Sequence, residues 1–120
     1  MRPMASRWTA GSLSLALFLL PLCAAKAAEN ERGKALFDQD CGTCHSLTAA
    51  DASKRGPHLE RLFSRRFGAV DGFPYRMVWK EADPVWTAAH LENYLKIHGR
   101  YDGPERTAVI EYLKKATAEN

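Results

Sequence analysis

The sequence predicts an all-α domain in which three principal helices frame one long irregular loop. Three observations carry that expectation. Apolar residues recur at helical spacing in two C-terminal stretches. Helix start and stop signals bracket those stretches. Between Ser46 and Asp83 the chain is broken by Gly56-Pro57, Gly68, Asp71-Gly72 and Pro74, too often for a long helix.

Residues 1–27 read as a secretory leader and residues 28–120 as the domain. Arg2 and Arg7 make a positive start, "SLSLALFLLPLCAA" is an apolar run, and "AKA" offers small residues spaced for cleavage before Ala28. A membrane anchor is the competing reading. Ser14 and Pro21 interrupt the run, however, and it falls short of the roughly 20 residues needed to span a bilayer. A lipoprotein site at Cys23 is disfavoured by the bulk of Leu22 before it.

The first helix is expected from near Asn30, with acidic residues in its first turn complementing the dipole, and it runs into Cys41. The loop that follows has room for a short helical turn around Leu59 to Phe63. An irregular segment this long is uncommon unless functional. Leu59, Leu62, Phe63, Phe67, Phe73, Tyr75 and Trp79 equip it to wrap a large apolar object. Asp83-Pro84 resembles an N-cap followed by proline at the first helical position. Leu91, Tyr94, Leu95 and His98 then share one helix face until Gly99 ends it. The last helix opens at Gly103-Pro104 and carries Ala108, Val109, Tyr112 and Leu113 on one side.

Composition narrows the function. The formal charge of +3 resides in Arg2, Arg7 and Lys26, so the domain itself is balanced. That gives no support for nucleic-acid binding, which needs a basic surplus gathered on one face. A domain this small buries a thin core and often depends on a disulfide, metal or cofactor. Without the leader only Cys41 and Cys44 remain, so a disulfide framework is not available and a cofactor is the better staple.

Cys41-Gly42-Thr43-Cys44-His45 is C-x-x-C-H, the haem c attachment signal. Two thiols three positions apart can add to the two vinyl groups on one porphyrin edge. The histidine after them is held beneath the iron as its proximal ligand. A thiol–disulfide pair competes with this reading but needs a βαβ setting. Half of a zinc site also competes, but no second Cys or His pair lies at zinc spacing.

From Gly33 onward the sequence resembles a class I cytochrome c of the mitochondrial and α-proteobacterial type. The resemblance rests on "GKALF", "CGTCH", "GPHLERLFSRRFG", "GFPY", Trp86, "LENYL" and "ERTAVIEYLKKATAEN". It implies the small cytochrome c fold, three main helices plus a long loop wrapped around one covalently bound haem c. Gly33 and Phe37 would lie against the last helix, and Pro57 would offer its carbonyl to the ring N–H of His45. Arg65, Tyr75 and Trp86 would hydrogen-bond the haem propionates, while Leu59, Leu91, Tyr94 and Leu95 pack on the porphyrin.

One part of the family pattern is missing. After "YL" the family has a P-G-T-K-M loop whose methionine binds the iron, and here "KIHGRYDGPER" replaces it, about a dozen residues shorter. Three alternatives stand for the sixth ligand: His98, on the haem-facing stripe; an open or water-bound site; and Met77, the one methionine outside the leader. His58 falls on the proximal side and His90 is offset from the stripe. The expected function is one-electron transfer in the periplasm by a monomer, with redox partner proteins docking weakly at the haem edge. No acid/base pair or nucleophile marks the domain as an enzyme, and after leader removal it has no membrane span. The alternative is a haem c protein with an open distal site that binds small ligands or gases, or serves as an accessory subunit of an oxidoreductase.

Overall fold

The computed structural model describes residues 20–51, 53–76 and 84–118. Met77 and Asp83, and the expected leader up to residue 19, lie outside the described residues. Among the described residues there are three α-helices: α1 (Leu20–Leu36), α2 (Ala88–Ile97) and α3 (Gly103–Ala116). A π-helical turn, Phe37–Cys41, extends α1, and a single 3₁₀ turn covers Leu62–Ser64. Among the described residues the β contribution is one isolated antiparallel bridge between Arg66 and Val85.

α1 is already helical at Leu20, the first described residue, well before the start expected near Asn30. Its extra turns are built largely from Leu, Ala and Lys, strong helix formers. Residues 21–29 are all exposed, so propensity rather than packing shapes that stretch. Packing begins at Gly33. A Cβ there would collide with the Ala108 carbonyl oxygen and come within 2.8 Å of the Tyr112 Cβ. The missing side chain lets α1 and α3 meet backbone to backbone. One turn on, the Phe37 ring lies 5.6 Å from that of Tyr112 and seals the crossing.

α2 begins later than Asp83-Pro84 suggested. Its N-cap is Thr87, whose hydroxyl accepts the His90 N–H at 3.1 Å. Pro84 to Trp86 are instead engaged with the loop. The Pro84 carbonyl accepts from Phe67 N at 2.9 Å, and Trp86 N donates to the Arg65 carbonyl at 3.0 Å. Those two bonds outcompete a helical turn at that point. Leu91 and Leu95 are the buried residues of α2, and Tyr94 and His98 sit at the exposed side of the same stripe.

The helix ends in a Schellman motif, in which Arg100 N donates to the Leu95 carbonyl (2.8 Å) and Gly99 N to that of Lys96 (3.0 Å). Gly99 takes φ +63°, the conformation the motif demands. Four residues later α3 starts with a capping box between Asp102 and Glu105, and Pro104 follows in the first turn. The connection is further clamped by Arg106, which pairs with Glu92 at 2.7 Å and donates to the Tyr101 carbonyl.

Ala108, Val109, Ile110, Tyr112 and Leu113 form the buried face of α3, and with Phe37, Leu62, Leu91 and Leu95 they make the core. Gly33→Val is expected to force α1 off α3. Overpacking of this kind costs about 1–3 kcal/mol, so a thermal melt should show the midpoint lowered by at least about 5 °C. An unchanged midpoint would remove the crossing from its central role.

Candidate functional site

The segment that carries both cysteines is a direct continuation of α1. Gly42 N donates to the Phe37 carbonyl (2.7 Å), and Cys44 N and His45 N both donate to that of Cys41 (3.0 and 2.8 Å). These bonds wind Cys41 and Cys44 into one turn with His45 immediately after. The loop then folds back on this turn, Gly56 N donating to the Cys44 carbonyl and Leu59 N to that of Ser46, both at 2.8 Å. The buried Ser46 hydroxyl lies between the carbonyls of Thr48 and Asp51, its one proton shared between the two acceptors, and closes the intervening bend.

This fold-back brings the Pro57 carbonyl 2.8 Å from His45 Nδ1. The acceptor sets the tautomer: Nδ1 carries the proton and Nε2 keeps its lone pair for a metal. Gly56 leaves room for the ring, since a Cβ there would stand 2.5 Å from His45 Cε1.

Between the loop and the helices lies a cavity of about 760 Å³, within the range of sites that enclose a whole organic ligand, about 300–1,000 Å³. Of the residues singled out from the sequence, Cys41, His45, Pro57 and Leu59 line it from the motif side. Arg65 and Tyr75 line it from the loop, Trp86 from the segment before α2, and Leu91, Tyr94 and Leu95 from α2. Two others are placed elsewhere. Cys44 is half-buried with its sulfur 3.8 Å from the Thr43 hydroxyl, and it does not line the cavity. His98 is the exposed C-cap of α2, its ring 4.3 Å from that of Tyr94, and it too is outside the lining. Met77 lies outside the described residues.

The structure adds lining residues that sequence reading missed. Val109 and Leu113 come from α3, where their helical stripe had marked them as core. Lys54, Arg55 and Arg76 join Arg65, giving four cations and no carboxylate among the described lining residues. Basic residues scattered over a balanced sequence carry no sign of where they gather. Arg65 is held firmly: its guanidinium donates to the carbonyls of Glu60 (3.0 Å) and His58 (2.8 Å), and burial lowers its pKa. Lys54 donates to the Gly42 carbonyl, and the Tyr75 hydroxyl accepts the Val70 N–H at 3.1 Å.

At the Cys41 edge, the Tyr101 hydroxyl sits 3.7 Å from Cys41 Sγ and donates to the Leu36 carbonyl at 3.3 Å. Burial raises the Cys41 thiol pKa, with Tyr101 opposing. Burial, with the Cys41 sulfur next, raises that of Tyr101.

The cytochrome c family profile matches residues 30–117. The chain belongs to the cytochrome c family. It is similar to cytochrome c type-1 of Ascaris suum, 40% identical over 86 residues, covering 72% of this chain and 75% of that protein. Cytochrome c of Sesamum indicum is 31% identical over 98 residues, covering 72% and 88%. Cytochrome c-550 of Nitrobacter winogradskyi is 38% identical over 66 residues, covering 55% and 60%.

Cytochromes c bind haem c covalently and are electron-transfer proteins, not enzymes. The residues present fit that group. An apolar cavity opens beside a C-x-x-C-H turn, an imidazole is set with a free Nε2, and cations stand ready for a dianionic edge. Among the described residues no helix is long and apolar enough to cross a membrane. Gly56→Ala is expected to push the His45 ring off the Pro57 carbonyl. In NMR of the haem-loaded ferrous protein, the His45 Nδ1 proton should lose protection from solvent exchange, and retained protection would contradict the tight fit at Gly56.

Proposed function

We propose that this cytochrome c is a periplasmic one-electron carrier exported by a leader spanning residues 1–27. The single observation that carries the site assignment is the 2.8 Å contact between His45 Nδ1 and the Pro57 carbonyl at the wall of an apolar cavity. When bound, haem c supplies one iron-centred electron that is taken up and released without other bonds changing.

The chain's own residues do the rest. Cys41 and Cys44 tether the porphyrin, His45 serves as the proximal ligand, and Pro57 orients it. Leu59, Leu91, Tyr94 and Leu95 exclude water from its faces. Arg65, Tyr75 and Trp86 face the propionate edge, a role supported by their place in a lining rich in cations. Redox partners dock at the exposed edge, with the carrier acting as a monomer. The balanced charge of the domain is consistent with weak, transient contacts.

The leader and the attachment are tested together by intact mass after expression in a host that matures c-type cytochromes. The expected product begins at Ala28 and carries one added haem. Haem-loaded protein that retains its first 27 residues would overturn the leader, and the absence of added mass would overturn the attachment.

A specific observation favours the second reading, an open sixth position. His98, the best-placed histidine of the α2 stripe, is exposed and outside the cavity lining, with the Tyr94 ring against it. In this reading the ferrous protein binds CO promptly at neutral pH, and neither His98→Ala nor Met77→Ala alters the coordination spectrum. A six-coordinate low-spin ferrous spectrum that ignores CO, and that one of the two substitutions abolishes, would identify the internal ligand instead.

A further inference from the structure

The connection between α2 and α3 reaches across the fold to the segment that carries the attachment cysteines. The link is one side chain. The Tyr101 hydroxyl donates to the Leu36 carbonyl at 3.3 Å and stands 3.7 Å from Cys41 Sγ, within hydrogen-bond reach for sulfur. Leu36 is the last residue of α1, and the π-helical turn that ends at Cys41 follows it directly. The phenol therefore touches both ends of that turn.

Tyr101 is aimed by its neighbours. Arg100 N is bonded to the Leu95 carbonyl in the Schellman motif, and Asp102 caps α3. Arg106 holds the Tyr101 carbonyl itself. Fixed on both sides, Tyr101 takes φ +60°, a left-handed conformation that a residue with a Cβ disfavours. Local strain sustained by the surrounding structure marks a side chain that is being positioned. Tyr101 is half-buried against the core and absent from the cavity lining, whereas Cys41 lines the cavity. The phenol thus backs the sulfur from outside the lining. Burial raises its pKa, so it keeps its proton and remains a donor.

The two cysteines differ in this respect. Cys44 Sγ is met at 3.8 Å by the hydroxyl of its own neighbour, Thr43, while Cys41 is met from 60 residues away. A free thiol at Cys41 can donate or accept toward the phenol. A thioether sulfur bears no hydrogen and can only accept. With Cys41 attached, Tyr101 is the donor that faces it, its one proton shared between the sulfur and the Leu36 carbonyl.

We infer that Tyr101 is a positioning residue for the haem attachment, its hydroxyl donating to the Cys41 thioether sulfur, fixing that sulfur at the cavity wall and raising the reduction potential. The inference rests on the attachment through Cys41 proposed above. A positive hydrogen aimed at the sulfur draws electron density away from the macrocycle, which disfavours loss of an electron from the iron. Hydrogen bonding around a haem is one of the levers by which a protein sets its potential.

The test compares the haem-loaded protein with its Tyr101→Phe variant, which keeps the ring, its packing and the same backbone conformation. Two readouts follow the sulfur: the reduction potential, and the thioether C–S stretch in resonance Raman spectra. A weak hydrogen bond to sulfur corresponds to roughly a twofold to fivefold change in an equilibrium constant. Tyr101→Phe should lower the potential by that factor, about 20–40 mV at about 59 mV per tenfold for one electron, and shift the C–S stretch. Tyr112→Phe removes a buried phenol that lies outside the cavity lining and should leave both readouts in place. The wild-type protein gives a check that needs no variant: after full exchange into D2O its C–S stretch should shift, because the donated proton is replaced. A lowered thermal midpoint with unchanged potential and stretch would reduce Tyr101 to a brace for the Leu36 carbonyl and overturn the inference while the attachment stands. Equal shifts in Tyr112→Phe, or a wild-type stretch indifferent to D2O, would overturn it as well. Wild-type protein lacking haem at Cys41 would bring down the attachment and the role of Tyr101 together.

Discussion

The crossing of α1 and α3 at Gly33 governs the rest of the molecule. With hydrogen as its side chain, Gly33 lets the Ala108 backbone sit where any Cβ would be, and Phe37 and Tyr112 close over the contact. Because α1 continues without a break into the Cys41 turn, the same crossing sets where the C-x-x-C-H segment stands relative to Val109 and Leu113 on α3. The covalent motif and the far wall of the cavity are thus positioned by one backbone contact. A small core can achieve this because close approach replaces bulk: dispersion between backbones is gained where there is little apolar volume to bury.

The loop between the motif and α2 owes its shape to backbone hydrogen bonds at fixed points rather than to regular structure. Bonds back to Cys44 and Ser46 fold it under His45, one from Arg61 N to the Thr117 carbonyl ties it to the end of α3, and the Phe67 and Trp86 pairings anchor its return. Arg65 satisfies two of its carbonyls directly. Irregular chain can be held around a cavity in this way because its buried polar groups find partners other than a helix or sheet.

The five-residue connection from α2 to α3 is a compact device in its own right. Gly99 and Tyr101 both adopt positive φ, +63° and +60°. The second is costly for a residue with a Cβ and is sustained by the contacts it secures. That turn directs the Tyr101 hydroxyl onto Cys41 Sγ and the Leu36 carbonyl, while Arg106 holds the Tyr101 carbonyl from α3. The connection thus sets one phenol, Tyr101, beside Cys41, while a second phenol, Tyr94, lines the cavity from α2.

Local signals were enough for the helix content, the Gly99 stop, the Gly103-Pro104 start, the attachment motif and the apolar stripes of α2 and α3, because capping chemistry and 3.6-residue periodicity act over a few residues. They also marked the absence of methionine from the last connection, since spacing along a chain is visible without coordinates. The start of α2 was misjudged because Asp83-Pro84 is a sound local cap. Pairing of Pro84 and Trp86 with a distant loop strand overrode it. The same limit applies to His98, whose place on the stripe is a property of the helix. Its exposure depends on Tyr94 and on how tightly Gly99 turns. Nor could spacing reveal that Lys54, Arg55, Arg65 and Arg76 meet around one cavity. Sequence alone determined which chemistry this chain can hold. Only the tertiary structure decided which side chains face it, because burial and direction are set by contacts between residues far apart in the chain.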